Sequence, residues 1–357
     1  MALHRRTLLR ALAVGSAAAL AGCSSSGDMT TPAPTPTPGP TPTPETETPG
    51  QPAGWTPPAY VDQSAFTETT VSLEGPGDCS LGGALTVPEG EGPFPGIIVL
   101  SGSGPTDRDG TVGPNKPYKD LAWGLATEGV ATLRYDDRTA TCPVDGATIT
   151  IDEEYTEDAL TALARLREES RVGPVGVAGH SLGGQVAPRV VARDGEVDGL
   201  VMLAAPARSL LDLVVEQTAY LAELDGQVTD QERQQIQATE NLVQRVRDLD
   251  IPDGGALLGA GRPYWESYLD YDWIGTAQGL SVPTYLGQGG RDYQVTVEGD
   301  LELWREELPN DRTTSQVFEA LNHLFIAGEG PARPQEYFEP GNVDRAVVTA
   351  LAGFLGA

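Results

Sequence analysis

The chain has 357 residues, of which 39% are apolar, and a formal net charge of −28. This length provides a sizeable folded core, whereas so negative a charge argues against nucleic acid and anionic membrane surfaces as partners. Lysine occurs only at Lys116 and Lys119. Acid-rich, lysine-poor surfaces are typical of proteins from strongly saline surroundings, where salt screens self-repulsion, and the alternative is an acidic secreted protein.

Residues 1–22 have the features of an export signal. Arg5 and Arg6 precede a weakly apolar run, which ends in Leu-Ala-Gly before Cys23. The twin arginine indicates the Tat route, and the ending resembles a lipoprotein cleavage box in which Cys23 becomes the lipidated first residue. The alternative, an uncleaved anchor, leads to the same location, outside the cytoplasmic membrane.

Residues 23–58 are rich in Pro, Thr, Ser and Gly and contain almost no apolar side chains. Such a segment cannot bury a core and favours extended polyproline structure. We therefore expect a disordered stalk over 23–58 and a single folded domain over 59–357, with its first strand near Thr67.

The predicted strands of this domain alternate with helices. We expect strands at 67–75, 81–90, 94–104, 130–137, 199–207, 282–290 and 313–320, and helices at 116–128, 153–169, 297–306 and 343–354, with a further strand from Val175 and a further helix on either side of the turn at 179–183. The first two strands form a hairpin around a Gly-Pro-Gly-Asp turn. The later alternation predicts right-handed βαβ units and a mainly parallel sheet with helices on both faces.

The pattern changes between residues 209 and 275. Helical stretches at 209–224, 229–250 and 264–269 follow one another without a strand, and we expect this insertion to form a lid over the carboxyl ends of the strands. Its last part carries the aromatic residues Tyr264, Trp265, Tyr268, Tyr271 and Trp273. These rings either pack the lid on the core or contact substrate, and the sequence leaves both alternatives open.

The segment that points most directly to chemistry is Gly179-His180-Ser181-Leu182-Gly183, between a β-branched run and a helical pattern. This is the G-x-S-x-G nucleophile elbow in the strand–turn–helix context that it requires. We expect the tight turn to expose the Ser181 hydroxyl. The N–H of Leu182, at the start of a helix, is suited to stabilise an oxyanion.

A serine nucleophile needs a base, and few are available. Of the three histidines, His4 lies in the signal and His180 is held in the elbow, which leaves His323 after the last strand. Asp292 follows the seventh strand, in the chain order Ser, acid, His, and is the preferred orienting carboxylate. Its rivals are Asp270, Glu298 and Asp300.

The second oxyanion donor is expected in the glycine-rich loop after the third strand, Ser101–Pro105, and we choose the N–H of Ser103. The next residues are Asp107, Arg108 and Asp109, for which we expect a local ion pair that need not touch substrate.

Cys79 and Cys142 remain once Cys23 is assigned to the lipid anchor. An even pair in an oxidising compartment is consistent with a disulfide, but two separate thiols remain an alternative. So few His and Cys residues predict no metal cluster, and no phosphate-binding loop is present in the sequence.

The chain from about Thr67 onward resembles the α/β-hydrolases, and more narrowly the EstD-type carboxylesterases, which are grouped near the serine aminopeptidase and dienelactone-hydrolase-like families. The matching segments are SGSGPTDRDG at 101–110, GPNKPYKDLAWGLA at 113–126, LRYDDRT at 133–139, GHSLGG at 179–184 and AAPARSL at 204–210. Several dispersed matches in the same order are more specific than the elbow alone.

The resemblance implies an eight-stranded sheet in the order 1-2-4-3-5-6-7-8 with strand 2 antiparallel. It also implies hydrolysis of carboxylic esters by Ser181, His323 and Asp292 without a cofactor. This strand order brings Cys79 and Cys142 near each other. One departure is Asp137, where many relatives have a basic residue, and we interpret it as an acidic surface adaptation.

Three functions are compatible with these residues. The favoured one is a lipid-tethered serine esterase that forms an acyl-enzyme on small-molecule esters. The second is a peptidase or thioesterase with the same triad, since leaving-group selectivity depends on pocket shape. The third is a non-catalytic ligand-binding lipoprotein, which would not need to keep Ser181, Asp292 and His323 together. The sequence does not predict the oligomeric state.

Overall fold

The computed structural model describes residues 54–77 and 79–357. The predicted signal at 1–22, the lipidation site Cys23 and nearly all of the stalk lie outside these residues. Residues Trp55–Ala357 form one compact unit. None of the helices within the described residues is both long enough and apolar enough to cross a membrane.

One eight-stranded sheet forms the centre of this unit. Its strands are β1 (Phe66–Glu74), β2 (Ser80–Pro88), β3 (Phe94–Leu100), β4 (Ala131–Tyr135), β5 (Val172–His180), β6 (Gly199–Leu203), β7 (Thr284–Gly289) and β8 (Thr313–Phe318). They lie in the order β1-β2-β4-β3-β5-β6-β7-β8. β2 is antiparallel to both β1 and β4. The other six strands, β3 to β8, are all parallel to one another. The predicted α/β-hydrolase sheet is confirmed.

The helices cover both faces of the sheet. They are α1 (Pro117–Thr127), α2 (Arg138–Thr141), α3 (Glu157–Arg167), α4 (Leu182–Asp194), α5 (Leu210–Glu223), α6 (Asp230–Arg247), α7 (Arg262–Leu269), α8 (Trp273–Gln278), α9 (Glu302–Glu307) and α10 (Arg345–Leu355). One apolar cluster joins α3 and α4 to the strands of the sheet, and a second cluster joins α1 and α10 to the strands. Because both faces are covered, the central strand β6 is apolar and buried throughout.

Helices α5 to α8 form the insertion between β6 and β7. Several of its aromatic side chains are buried with their polar atoms bonded, and the Tyr268 hydroxyl donates to Gln185 Oε1 on α4 at 3.1 Å. Trp265 donates through Nε1 to the Leu257 carbonyl, and Trp273 to the Ala207 carbonyl. Packing of the insertion on the core is therefore the role that the structure gives these rings.

The compact unit begins earlier than the composition suggests. Trp55 belongs to the predicted stalk, but its ring packs edge-on against Trp123 of α1 at 5.2 Å, and its Nε1 donates to Asp120 at 2.8 Å. The Lys119 ammonium lies 4.7 Å and 4.6 Å from the centres of the two indole rings. A single tryptophan in a Pro-rich segment is enough to fix this end of the segment on the domain.

Cys79, just before β2, and Cys142, just after α2, are joined by a disulfide, with 5.8 Å between their Cα atoms. Because β2 and β4 are neighbours, the segment that follows β4 starts beside the first residues of β2. The disulfide therefore ties the α2 segment to the antiparallel side of the sheet.

Candidate active site

The turn at Ser181 connects the buried strand β5 to α4. Ser181 has φ 55° and ψ −126°, a backbone conformation that costs an L residue conformational energy. Its N–H donates to the Leu203 carbonyl at 2.9 Å, and the residue stays half-buried. A Cβ atom at Gly179 would overlap the Gly183 carbonyl, and one at Gly183 would overlap the Ser101 carbonyl. Both glycines of the motif are therefore required by close backbone approach.

His323 lies in the loop after β8 and is bonded to a carboxylate. Its Nδ1 is 2.7 Å from Asp292 Oδ2, and both side chains are buried. Because a carboxylate only accepts, Nδ1 carries the proton and Nε2 is left as the acceptor. The loop conformation is set by Asn322, whose Oδ1 accepts the N–H groups of Leu324 and Ile326. This geometry suits a histidine base.

Asp292 is held by three further donors. Its Oδ1 accepts the backbone N–H groups of Gln294 at 2.8 Å and Val295 at 3.1 Å, and its Oδ2 accepts Gln288 Nε2 at 3.0 Å. These bonds fix the carboxylate and the histidine that it orients. The rival Asp300 forms an ion pair with Arg208 at 2.9 Å. Asp292 is thus the carboxylate that the structure brings to His323.

His180 brings Ser181 and His323 to the same place on the carboxyl edge of the sheet. It directly precedes Ser181, and its ring centre lies 4.7 Å from that of His323. Burial, followed by the nearby His323, lowers the pKa of His180 to about 3, so this ring is neutral at physiological pH.

The loop after β3 runs beside Ser181. A Cβ atom at Gly102 would lie 3.2 Å from the Cβ of Ser181, so glycine lets the loop approach the serine closely. Ser103, the predicted oxyanion donor, is exposed, and Leu182 is the first residue of α4, where N–H groups lack intrahelical partners. The N–H of Gly102 donates to the Tyr118 hydroxyl at 2.9 Å. The Gly102 N–H is therefore already bonded, and the Ser103 N–H stays the predicted donor of this loop.

The interpretation of Asp137 as a surface residue is wrong. Asp137 is buried, its Oδ1 accepts the Ser101 hydroxyl at 2.5 Å, and its Oδ2 accepts the Thr106 N–H at 3.0 Å. Burial raises the pKa of Asp137 well above its ordinary value, and Glu154 raises it further. The carboxyl group therefore clamps both ends of the 101–106 loop, a role that position in the sequence does not reveal.

The local ion pair expected within residues 107–109 is also absent. Arg108 forms its ion pair with Asp136, at 3.1 Å, and donates to the Gly83 carbonyl at 2.7 Å. Asp109 pairs instead with Lys116 and with Arg134 of β4. These charges connect the loop to the strands and to the residue before α1, and Arg134 also pairs with Glu68 of β1 at 2.8 Å.

Sequence reasoning missed two tyrosines at this site. Tyr118 of α1 contacts Gly102 and His180, and the Tyr155 hydroxyl donates to the Gly102 carbonyl at 3.0 Å. Both tyrosines occupy apolar faces of helical segments, so nothing local distinguishes them from core residues. Within residues 54–77 and 79–357, no group of three or more His, Cys, Asp and Glu side chains is arranged to hold a metal ion.

The chain is similar to known hydrolases and esterases. A family model described as serine aminopeptidase, S33, matches residues 110–250. Esterase EstD of Thermotoga maritima is 40% identical over 299 residues, which are 84% of this chain and 69% of the relative.

Solved structures share the fold. Est1E from Butyrivibrio proteoclasticus with bound ferulic acid has a TM-score of 0.53 at 16% identity, over 80% of this chain and 97% of that one. Brefeldin A esterase, a bacterial homologue of human hormone-sensitive lipase, has a TM-score of 0.52 at 17% identity, over 85% and 79%. The chain belongs to the α/β-hydrolase superfamily of serine hydrolases, in the family of EstD-type carboxylesterases.

Proposed function

We propose that the chain hydrolyses carboxylic esters through a triad of Ser181, His323 and Asp292. The observation that carries the proposal is the buried 2.7 Å bond between His323 Nδ1 and Asp292, beside the strained turn of Ser181. Because this bond holds the proton on Nδ1, His323 Nε2 is free to accept the proton of the serine hydroxyl.

In the proposed reaction, Ser181 Oγ forms a bond to the ester carbonyl carbon while its proton moves to His323 Nε2. The carbonyl oxygen becomes an oxyanion that the N–H groups of Ser103 and Leu182 stabilise. Collapse breaks the bond to the alcohol, which leaves with the proton from His323. Water then attacks the acyl-enzyme with His323 again as base, and this step releases the acid and regenerates Ser181.

The insertion is proposed as the lid that borders the substrate site. Its side chains form one apolar cluster with Leu182 and Val186, the residues of α4 that follow the serine. Since the insertion covers the start of this helix, it limits the space available to acyl groups beside Ser181. We expect a modest apolar pocket that favours short acyl chains.

The stalk and anchor are proposed to hold this esterase outside the cytoplasmic membrane through a lipid on Cys23. The support is the sequence pattern at 1–23 and the Pro-rich composition of 24–54. The test is fractionation of cells expressing the full chain and a Cys23→Ala variant. Membrane association of the full chain and its loss in the variant are expected, and membrane association of both would contradict the anchor.

The esterase proposal is tested on a series of p-nitrophenyl esters of increasing acyl length, with residues 24–357 in high salt. Wild type should hydrolyse short esters, and Ser181→Ala and His323→Ala should each lower kcat/KM by about three orders of magnitude or more. Ser72→Ala, at an exposed serine of β1, is the matched control. An enzyme inert on esters but active on peptide anilides or thioesters would replace the esterase by the peptidase or thioesterase alternative.

A further inference from the structure

The proposed chemistry leaves His180 without a role, although it is the buried histidine beside the nucleophile. Its Nδ1 lies 3.0 Å from the Tyr118 hydroxyl and its Nε2 lies 2.8 Å from the backbone carbonyl of His323. The ring is packed edge-on against Tyr118 and Phe325. Both ring nitrogens thus have partners, and each partner comes from a different segment of the fold.

The direction of each hydrogen bond follows from the groups involved. A carbonyl only accepts, so His180 Nε2 carries the proton and donates to His323. A neutral imidazole then accepts at Nδ1, so the Tyr118 O–H donates to it, and the Tyr118 oxygen accepts the Gly102 N–H. A single directed chain therefore runs from Gly102 through Tyr118 and His180 to His323.

The two ends of this chain are the two parts of the site that must be placed relative to each other. Gly102 precedes Ser103, the proposed oxyanion donor, and His323 is the proposed base. Gly102 and His323 are 221 positions apart in the chain. In the folded protein they are connected by hydrogen bonds through only two side chains, those of Tyr118 and His180. Tyr118 and His180 are both buried, so the pair is shielded from water.

We propose that Tyr118 and His180 act as one pair of positioning residues, which fixes the oxyanion loop relative to the backbone of His323. This inference rests on the proposed esterase function. The pair touches no reacting atom. Its effect is to hold the Ser103 N–H and the His323 ring in the geometry that the tetrahedral intermediate requires, so its loss should act on kcat rather than on substrate binding.

The test uses Tyr118→Phe, His180→Ala, the double variant and His180→Gln, which supplies an N–H near the position of Nε2. Tyr285→Phe is the matched control, because its buried hydroxyl donates to Gln316 at the β7–β8 pair, away from the site. For each variant we would measure kcat and KM for p-nitrophenyl acetate, the Ki of a trifluoromethyl ketone and the thermal midpoint.

We expect Tyr118→Phe and His180→Ala each to lower kcat about 10- to 100-fold with KM changed less than about threefold. The double variant should lose no more than the worse single one, and His180→Gln should recover part of the rate. The ketone Ki should rise in parallel with the loss of kcat/KM, since its adduct carries the oxyanion. Tyr285→Phe should lower only the thermal midpoint.

Single variants with kcat within twofold of wild type, or losses that multiply in the double variant, would overturn the paired role. If His180→Ala fails to fold, the comparison of Tyr118→Phe with Tyr285→Phe decides alone. An active wild type with unaffected variants overturns this inference only. A wild type that hydrolyses no ester and is not labelled by a fluorophosphonate overturns the proposed function and the inference with it.

Discussion

The carboxyl edge of the sheet around Ser181 and the helical insertion both pack on α4, but a buried carboxylate organises the hydrogen bonds of the edge, whereas aromatic rings dominate the packing of the insertion. At the edge, directional hydrogen bonds set positions, and Asp292 alone accepts four of them. In the insertion, neighbouring aromatic rings pack at 5.5 Å for Tyr264 and Trp265 and 5.8 Å for Trp265 and Tyr268. Charge-assisted hydrogen bonds fix a geometry closely, whereas ring packing tolerates adjustment.

The largest predicted effect is a loss of kcat when a carboxylate at the edge is replaced by an amide. The same replacement in the insertion is the comparison. Asp292→Asn keeps the shape but removes the acceptor that selects the Nδ1–H tautomer of His323, so kcat should fall by about 10³- to 10⁴-fold. Asp212→Asn makes the same chemical change at the exposed ion pair of Asp212 with Arg247 and should leave kcat within about twofold. Equal effects in steady-state assays would contradict the distinction between the two regions.

The next effect concerns the disulfide beside the edge. The Cys79–Cys142 bond closes a loop with a sequence separation of 63, for which chain entropy gives at most about 4 kcal/mol of stability. The double Cys→Ala variant should therefore unfold at lower urea concentration than wild type, and dithiothreitol should shift wild type toward the variant. Identical urea midpoints would show that the bond does not stabilise the domain.

Glu154 links the edge to the insertion, since the Tyr264 hydroxyl bonds to its carboxyl group, and it gives a pH-dependent prediction. Burial raises its pKa to about 7 from an ordinary 4.5. The folded state therefore keeps a proton that the unfolded state loses, and its contribution to stability is full below about pH 4.5 and falls as pH rises to about 7.

Glu154→Gln removes the ionisable group, and with it the loss of stability that Glu154 causes as the pH rises. The variant should be more stable than wild type by about 3 kcal/mol at pH 8 and nearly equal to it at pH 4.5, as measured by urea unfolding. The opposite trend with pH would contradict the sign of the pKa shift. Glu298→Gln, at an exposed carboxylate before α9, is a control that should leave the stability unchanged at both pH 8 and pH 4.5.

The smallest effect should come from bulk salt. The net charge of −28 makes the exposed acids repel one another, and salt screens this repulsion. Raising NaCl from 0.1 to 2 M should raise the thermal midpoint by about 5 °C, while kcat changes little because the buried edge is not screened. A midpoint that falls with salt would argue against adaptation to saline surroundings.

The sequence predicted most of the fold because apolar periodicity is local information. It identified Ser181 from the elbow and His323 because so few histidines were available, and it chose Asp292 from its position at the end of a strand. It did not predict the residues that hold the oxyanion loop. Asp137 and Ser101 are 36 positions apart and Tyr118 and His180 are 62 apart.

These pairings depend on which strands become neighbours and on which side chains the folded core buries. Burial turned Asp137 from an expected surface acid into a loop clamp, and the buried Asp136 pairs with Arg108. Whether a charged side chain will be buried cannot be read from the local sequence, because burial is decided by the packing of distant segments.

The most direct test of the central claim is the mass of the intact protein after treatment with a fluorophosphonate, followed by mapping of the labelled peptide. A serine activated by a histidine base should take up one phosphonyl group, on Ser181. Labelling of His323→Ala should be slower by about three orders of magnitude. An unlabelled wild type, label on another residue, or equal labelling of His323→Ala would contradict the triad on which the account depends.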